Sequence, residues 1–190
     1  GLARPRDVGV PVVVVGNISV GGTGKTPVAA WLARQLSLRG HKVGVVLRGY
    51  GGRASRQPRV VTADSDPAEV GDEAVLHSLR QPHVVVVGTD RVAAASHAAA
   101  EGAEVVVCDD GLQHLRLARD CEIAVADAAR GLGNGHLLPA GPLREPAGRG
   151  DGEDDDAPSA VGAAQRESRR RRRLADPARA AADDDPDRPV

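Results

Sequence analysis

The stretch that decides the fold, residues 10–27, reads VPVVVVGNISVGGTGKTP. An apolar, β-branched run of strand length comes first, and a glycine-rich turn with Lys25 and Thr26 follows it. A phosphate-binding loop needs these parts in this order, because its glycines expose backbone N–H groups and the next helix points its N-terminus at the anion. The usual pattern has Gly at the position of Ser19, where serine fits with ordinary backbone angles. We therefore interpret the stretch as a nucleotide loop; the alternative is a glycine-rich turn with an exposed lysine.

Each part of this loop has a predicted role. Lys25 is expected to reach the β- and γ-phosphates of ATP, and the Thr26 hydroxyl to ligate Mg²⁺. The predicted nucleotide-binding residues are Ser19, Val20, Gly21, Gly22, Thr23, Gly24, Lys25 and Thr26. Partition ATPases with a related loop carry a second lysine just before the glycine pair, where this chain has Val20. That class is disfavoured, and the lack of an Asn-Lys-x-Asp motif disfavours a GTPase.

Valine-rich runs alternate with longer segments rich in Ala, Leu and Arg over the first part of the chain. The runs are apolar at successive positions, as expected of strands buried on both faces. They predict strands at 10–15, 43–47, 84–87, 104–108 and 122–126. The segments between them predict helices at 26–39, 70–79 and 91–101. This alternation predicts a doubly wound α/β fold, with a mainly parallel sheet and helices on both faces, as in P-loop NTPases.

A second element lies in EVVVCDDGLQH, residues 104–114. Its apolar run ends in Asp109 and Asp110, and the carboxyl edge of a parallel sheet is where ligands bind. A carboxylate beside a phosphate loop is typical of a magnesium site, so we predict that this pair serves the metal. Adjacent acids point in different directions, and we expect one at the metal and the other at a loop or water. The alternative is a simple turn, which Asp also favours.

Composition disfavours several classes of function. The 190-residue chain has a net charge of -1 and 1% aromatic residues, so neither electrostatic capture nor base stacking supports nucleic-acid binding. Cys108 and Cys121 have no paired spacing, which favours reduced thiols over a disulfide or a zinc site. No apolar run approaches the roughly 20 residues that cross a bilayer. Because the chain contains no Met, we expect a fragment or a processed product.

Further blocks follow the loop in an order that is specific to one family. They are GHKVGVVLRGYGGR, VGDEAVLHSL, VVVVGTDRVAAA, VVVCDDGLQH and GNGHLLPAGPLREP, and with the loop they reach over residues 10–146. The chain thus resembles the tetraacyldisaccharide 4'-kinases, the lipid A kinases of Gram-negative bacteria, in which Ser19 is normal. The resemblance implies transfer of the ATP γ-phosphate to the 4'-hydroxyl of a lipid A disaccharide 1-phosphate precursor, with ATP and Mg²⁺ as cofactors.

The resemblance also implies roles for two acids in GDEAVL. Asp72 corresponds to the family's proposed general base, and Glu73 to an acid near the metal, which joins Thr26, Asp109 and Asp110 there. An alcohol nucleophile benefits from a positioned carboxylate. The alternative for Asp72 is helix capping, because acids are also favourable in a first helical turn.

Other polar residues receive less definite roles. Arg48 and Arg91 are expected to be phosphate or headgroup contacts, with surface cations as the alternative. His114 is expected close behind the acid pair. Structural roles on helix or strand edges are expected for the histidines His41, His77, His83 and His97. No role follows for Asn134 or for the LLPAGPLREP block.

The family implies work at the cytoplasmic face of the inner membrane, with peripheral membrane contact, no nucleic acid and no obligate protein partner. Its members have a membrane-associating helix before the first strand and a second α/β domain that supplies a histidine for the base. Here acidic blocks and five consecutive arginines predict a disordered tail at 147–190 behind a P-loop kinase domain at 1–146. We expect a frameshifted or truncated product that binds Mg-ATP without useful turnover. The alternatives are a non-catalytic nucleotide-binding module and a partition-type ATPase.

Overall fold

A computed structural model describes residues 4–22, 24–53, 57–80, 82–127 and 131–146. Within them one sheet contains the strands β1 (Val12–Gly16), β2 (Val43–Leu47), β3 (Arg59–Val61), β4 (Val84–Val87), β5 (Val105–Asp109) and β6 (Cys121–Ala124). The strand order is β3-β4-β2-β5-β1-β6, and every pair is parallel except β3 with β4. The predicted doubly wound, mainly parallel α/β fold is therefore confirmed.

Four helices occur in the described part of the chain: α1 (Lys25–Leu38), α2 (Pro67–Val70), α3 (Asp72–Leu79) and α4 (Arg91–Ala100). They cover both faces of the sheet. A Cβ on Gly44 would meet the Cβ of Ala98 in α4 at 3.0 Å, whereas the next residue, Val45, packs with Ala33 of α1 and Ala74 of α3. Because successive strand residues face opposite sides, α4 lies on one face and α1 and α3 on the other.

The core is built from valine on the strands and alanine on the helices, which lets the helices approach the sheet closely. Strands β2, β4 and β5 are buried along their whole length. The aromatic residues lie outside this core: Trp31 on α1 is 62% exposed, and Tyr50 is 74% exposed.

The structure differs from the sequence-based prediction in three elements: strand β3, the short helix α2, which lies almost wholly before the helix predicted at 70–79, and helix α3. Strand β3 was not predicted, because it is a short antiparallel edge strand with two exposed residues and no apolar run. The helix predicted at 70–79 is interrupted at Gly71, whose φ of 89° and ψ of 144° are not helical. Asp72 consequently begins a new helix, α3, instead of lying inside a longer one. The remaining bounds agree within one or two residues.

The chain divides into two units, Gly1–Glu145 and Pro146–Val190. The tail predicted at 147–190 lies outside the described residues and stays a prediction. None of the helices in the described ranges combines the length and the apolar character needed for a bilayer span.

Candidate functional site

The predicted phosphate loop connects β1 to α1 at the carboxyl edge of the sheet. Gly21 and Gly24 have positive φ angles of 106° and 81°, which glycine adopts at no steric cost. The buried Asn17 supports the turn from inside: its Nδ2 donates to the carbonyl oxygens of Ser19 at 2.6 Å and Gly21 at 3.3 Å. Val20 and Gly22 are exposed. Thr23 lies outside the described residues.

The LLPAGPLREP block holds the start of this loop from the other side. Leu143 is 1% exposed and forms an antiparallel bridge with Ser19. The N–H of Val20 donates to the Pro142 carbonyl at 2.8 Å, and the Arg144 N–H donates to the Ile18 carbonyl at 2.7 Å. The block, which had no predicted role, therefore fixes the backbone just before the glycines.

One carboxylate lies between two cations at the mouth of the loop. Asp110 Oδ1 is 3.7 Å from Lys25 Nζ and 3.4 Å from Arg144 Nη1. Asp110 has a φ of 56°, which turns the chain sharply after β5. Its side chain therefore faces the loop lysine, while the carboxylate of Asp109 is buried elsewhere, as the sequence predicted for two adjacent acids.

Helix α3 brings a second acid to the loop. The Thr26 hydroxyl donates to Glu73 Oε1 at 3.3 Å, although 47 residues separate the two in the chain. Asp72, the first residue of α3, is exposed beside it. The structure therefore brings the predicted base and metal residues to the same end of the sheet as the loop.

The RGYGGR loop sets the position of α3. A Cβ on Gly52 would lie 2.6 Å from the Glu69 carbonyl oxygen, and one on Gly71 would collide with the Tyr50 carbonyl oxygen. The backbones of the loop and of the α2–α3 junction are thus in direct contact. The close approach requires glycine on both sides and places Asp72 immediately after the contact.

Asp109 is almost wholly buried at the end of β5. His77 Nε2 lies 3.2 Å from Asp109 Oδ2, and the two side chains are 1% and 2% exposed. A carboxylate accepts hydrogen bonds, so the ring N–H is the donor. Asp109 Oδ1 is buried and accepts no hydrogen bond from any of the residues that the structure describes. His77 was predicted to lie at an ordinary helix edge, and the structure instead places it inside, against the acid.

The oxygen atoms at this edge suit a magnesium ion. The described residues contain no group of three or more His, Cys, Asp or Glu side chains that would hold a metal by themselves. Mg²⁺ in nucleotide sites uses one or two protein carboxylates and takes its other ligands from water and substrate phosphates. The unpartnered Asp109 Oδ1 and the Thr26–Glu73 pair offer that kind of donor set.

A cavity of about 580 Å³ opens beside the acid pair, between the segments that follow β4 and β5. Arg91 and His114 both line it. Burial lowers the pKa of His114, and the charges of Arg91 and Arg48 lower it further. Burial also lowers the pKa of Arg91, whose Nη1 donates to the Gly88 carbonyl at 2.8 Å. Arg91 is 3% exposed, so it is not a surface cation.

Sequence reasoning missed a polar group that ties these parts together. Gln113 Nε2 donates to the Asn17 carbonyl at 3.2 Å and to Glu145 Oε1 at 3.0 Å. The two bonds join the segment after β5 to the loop and to the LLPAGPLREP block. Gln113 follows the acid pair closely in sequence, which was the only available signal. No sequence pattern marked Asn17, Arg144 or Glu145 as part of the site.

Comparisons with known proteins agree on one family. The family model described as tetraacyldisaccharide-1-P 4'-kinase matches residues 1–176. The tetraacyldisaccharide 4'-kinase of Alkalilimnicola ehrlichii is 60% identical over 149 residues, which cover 78% of this chain and 45% of that protein. The Halorhodospira halophila protein of the same name is 59% identical over 148 residues, with the same coverage.

Among solved structures, LpxK from Aquifex aeolicus in complex with ATP is similar to this chain. The two share 36% sequence identity and a TM-score of 0.67, over 77% of this chain and 47% of the other. The chain therefore spans about half the length of the relatives it matches.

Proposed function

The chain belongs to the tetraacyldisaccharide-1-P 4'-kinase family, and on that basis we propose that it binds ATP and transfers the γ-phosphate to the 4'-hydroxyl of a tetraacyldisaccharide 1-phosphate. The observation that carries the proposal is the convergence of separate segments on the phosphate loop. Lys25, Glu73 and Asp110 come from three of these segments and meet at the carboxyl edge of the sheet. That edge is where open parallel sheets bind ligands.

The nucleotide side of the reaction falls to the loop and α1. Backbone N–H groups at the N-terminus of α1 carry positive partial charge, which favours the phosphates there. Lys25 would move from Asp110 to the β- and γ-phosphates, because the anion offers it more negative charge than one carboxylate. Arg144 stays within reach of Asp110 and keeps that acid neutralised.

The metal side of the reaction falls to Thr26 and the nearby acids. Thr26, Glu73, Asp109 and Asp110 are the residues that would hold Mg²⁺, directly or through water. When bound, the ion neutralises charge on the phosphates and aligns them for attack. Glu73 already orients the Thr26 hydroxyl through the 3.3 Å hydrogen bond.

The acceptor side of the reaction needs a base and a place for an anionic sugar. Asp72 would accept the proton of the 4'-hydroxyl while that oxygen attacks the γ-phosphorus and ADP leaves. The cavity beside the acid pair offers Arg91 and His114, and the charge of Arg48 acts on the same histidine. We infer that the charges of Arg91 and Arg48, with the neutral imidazole of His114 as a hydrogen-bonding group, recognise the phosphorylated headgroup of the acceptor.

The acceptor is a lipid, and this bears on where the reaction takes place. A molecule with four acyl chains is held in a bilayer by the burial of its CH₂ groups. We therefore propose that the protein works at the cytoplasmic face of the inner membrane, through peripheral contact.

The first test concerns the loop. We expect Lys25→Ala and Thr26→Ala to weaken Mg-ATP binding at least about tenfold, because one removes phosphate neutralisation and the other a metal ligand. Isothermal titration calorimetry measures the effect. Lys42→Ala is the matched control, since Lys42 is the only other lysine of the chain and is exposed. Wild-type affinity in both loop variants would contradict the loop assignment.

The second test concerns transfer. Residues 1–146 would replace the matching part of the Alkalilimnicola relative, and γ-phosphate transfer to the lipid acceptor would be followed with radiolabelled ATP. We expect an active chimaera that Lys25→Ala inactivates, with the 190-residue chain assayed beside it. ATP binding by a chimaera that cannot transfer phosphate would favour the alternative, a non-catalytic nucleotide-binding module.

A further inference from the structure

One face of α3 makes two polar contacts that lead to the same end of the sheet. Glu73 accepts from Thr26 of the phosphate loop, and His77 donates to Asp109 of β5. The two residues are four apart in the helix, so they lie on one face, one turn apart. Helix α3 is thus tied to both predicted halves of the metal site.

The second contact is the one that excludes water. The side chains of His77 and Asp109 are only 1% and 2% exposed. A buried carboxylate without a donor is costly, whereas a buried one with a directed N–H bond has a fixed orientation. Within the described part of the chain, Asp109 has this bond on Oδ2, and its Oδ1 has no hydrogen-bond partner. The contact therefore fixes which oxygen of Asp109 is hydrogen-bonded to His77 and which is not.

Neighbouring residues of α3 show that packing alone would not require a histidine. Ala74 is buried on the same side of the helix, and Val75 packs against the valine core. An aliphatic side chain at position 77 would fill similar space, but it would leave the Asp109 carboxylate with no donor.

We propose that His77 is a positioning residue for the phosphoryl-transfer site: it holds Asp109 with Oδ1 free and fixes α3 so that Glu73 reaches Thr26. The inference rests on the proposed function, since it assigns His77 to the metal region of that site. His77 itself touches no substrate in this role. The affinity of a site for its metal commonly falls about 10–100-fold when the residue that orients a metal ligand is removed.

The test compares three variants of the 190-residue chain. His77→Gln keeps an N–H donor at nearly the same reach, His77→Asn keeps the amide but is one methylene shorter, and His77→Leu has no donor. ATP affinity is measured by calorimetry with Mg²⁺ and again in EDTA. His97→Leu, on the partly exposed side of α4, is the matched control.

We expect His77→Leu and His77→Asn to weaken Mg-ATP binding about tenfold, while ATP binding in EDTA changes less than about twofold. His77→Gln should stay near wild type. A purely structural role would instead lower both affinities together, or follow side-chain volume so that Leu outperforms Gln. Either pattern overturns the proposal, as does wild-type Mg-ATP affinity in His77→Asn.

A readout without nucleotide separates this inference from the proposed function. Long-range proton–nitrogen spectra of the histidine rings identify which ring nitrogen carries the hydrogen. We expect the Nε2–H form for His77, with slow exchange of that proton, and the loss of both features in Asp109→Ala. An Nδ1–H form or rapid exchange overturns the positioning role even if ATP binds. If the wild-type chain did not bind ATP, the proposed function would be refuted. The ring spectra would still show whether His77 donates a hydrogen bond to Asp109.

Discussion

Two thiols in one sheet differ in their surroundings, and the difference predicts their reactivity. Cys108 is buried in β5, where desolvation raises the pKa of the thiol to about 11, and Cys121 is exposed at the start of β6. The thiolate is the reactive form, so Cys108 stays protonated and unreactive near pH 8. We expect one fast-reacting thiol per native chain in a DTNB assay, and two in denaturant.

The control for this assay is Cys121→Ser, which should leave almost no fast native reaction. Rapid labelling of Cys108 in that variant would mean that β5 is not buried as described. The sequence alone favoured reduced thiols but could not rank them, because their burial depends on which strands flank β5.

Single side chains also show where sequence reasoning ends. Lys25, Thr26 and the acid pair could be placed because they belong to short patterns with a known spacing in the chain. His77 could not, since its partner lies 32 residues away and the contact exists only when α3 packs beside β5. Arg144 was missed for the same reason, because it reaches Asp110 across 34 residues.

At the level of helices and strands, the junction between α2 and α3 is the position that most strictly requires one residue type, glycine. Gly71 combines a φ of 89° with a ψ of 144°, a conformation nearly confined to glycine, and its Cα faces the Tyr50 carbonyl. We expect Gly71→Ala to destabilise the protein by about 2–4 kcal/mol, through backbone strain and the collision together. Denaturant unfolding followed by circular dichroism would measure it.

Gly40→Ala is the matched control for this prediction. Gly40 has nearly the same φ, 90°, but a Cβ there meets nothing within 4 Å. Gly40→Ala should therefore lower the free energy of unfolding by only about 1 kcal/mol, which is the cost of the backbone conformation alone. Because Asp72 and Glu73 follow Gly71 directly, Gly71→Ala should also weaken Mg-ATP binding, and Gly40→Ala should not. Equal losses of stability and of Mg-ATP affinity in the two variants would show that the contact with RGYGGR does not position α3.

Four of the five predicted strands, β1, β2, β4 and β5, lie inside the sheet and have the continuous apolar runs that such burial requires. β6 was predicted from a similar run, but it is an edge strand and none of its residues is buried. Strand β3 could not be predicted, because only Val61 is buried and its pairing with β4 is tertiary information. The break at Gly71 was missed because an isolated glycine is tolerated within helical patterns.

For the molecule as a whole, composition predicts that nucleotide binding does not depend on residues 147–190. Residues 147–190 are rich in Asp, Arg, Ala and Pro and have few large apolar residues, so they are not expected to support a packed core. We expect removal of 147–190 to leave the affinity for Mg-ATP within about twofold, because the described residues that hold the loop end at Arg144, bonded to Ile18, and Glu145, bonded to Gln113. Calorimetry on the 1–146 fragment would measure it.

Hydrogen exchange on the full chain provides the control for that deletion. Amides of β2 should exchange slowly, as buried ladder positions do, while amides of 147–190 should exchange within seconds. Slow exchange across 147–190 would contradict the prediction of a disordered tail, and a large loss of affinity in the fragment would assign the tail a part in binding.

The exposed position of Trp31 on α1 determines how the intrinsic fluorescence of this protein responds to unfolding. The chain has one Trp and one Tyr, and both are largely in water in the folded state. Unfolding moves these rings from water to water, so the emission maximum should hardly shift when the core opens. An apparently flat fluorescence trace is then the signature of a surface chromophore and carries no information about the valine core. Absorbance at 280 nm is correspondingly weak, and concentrations are better taken from the peptide bond.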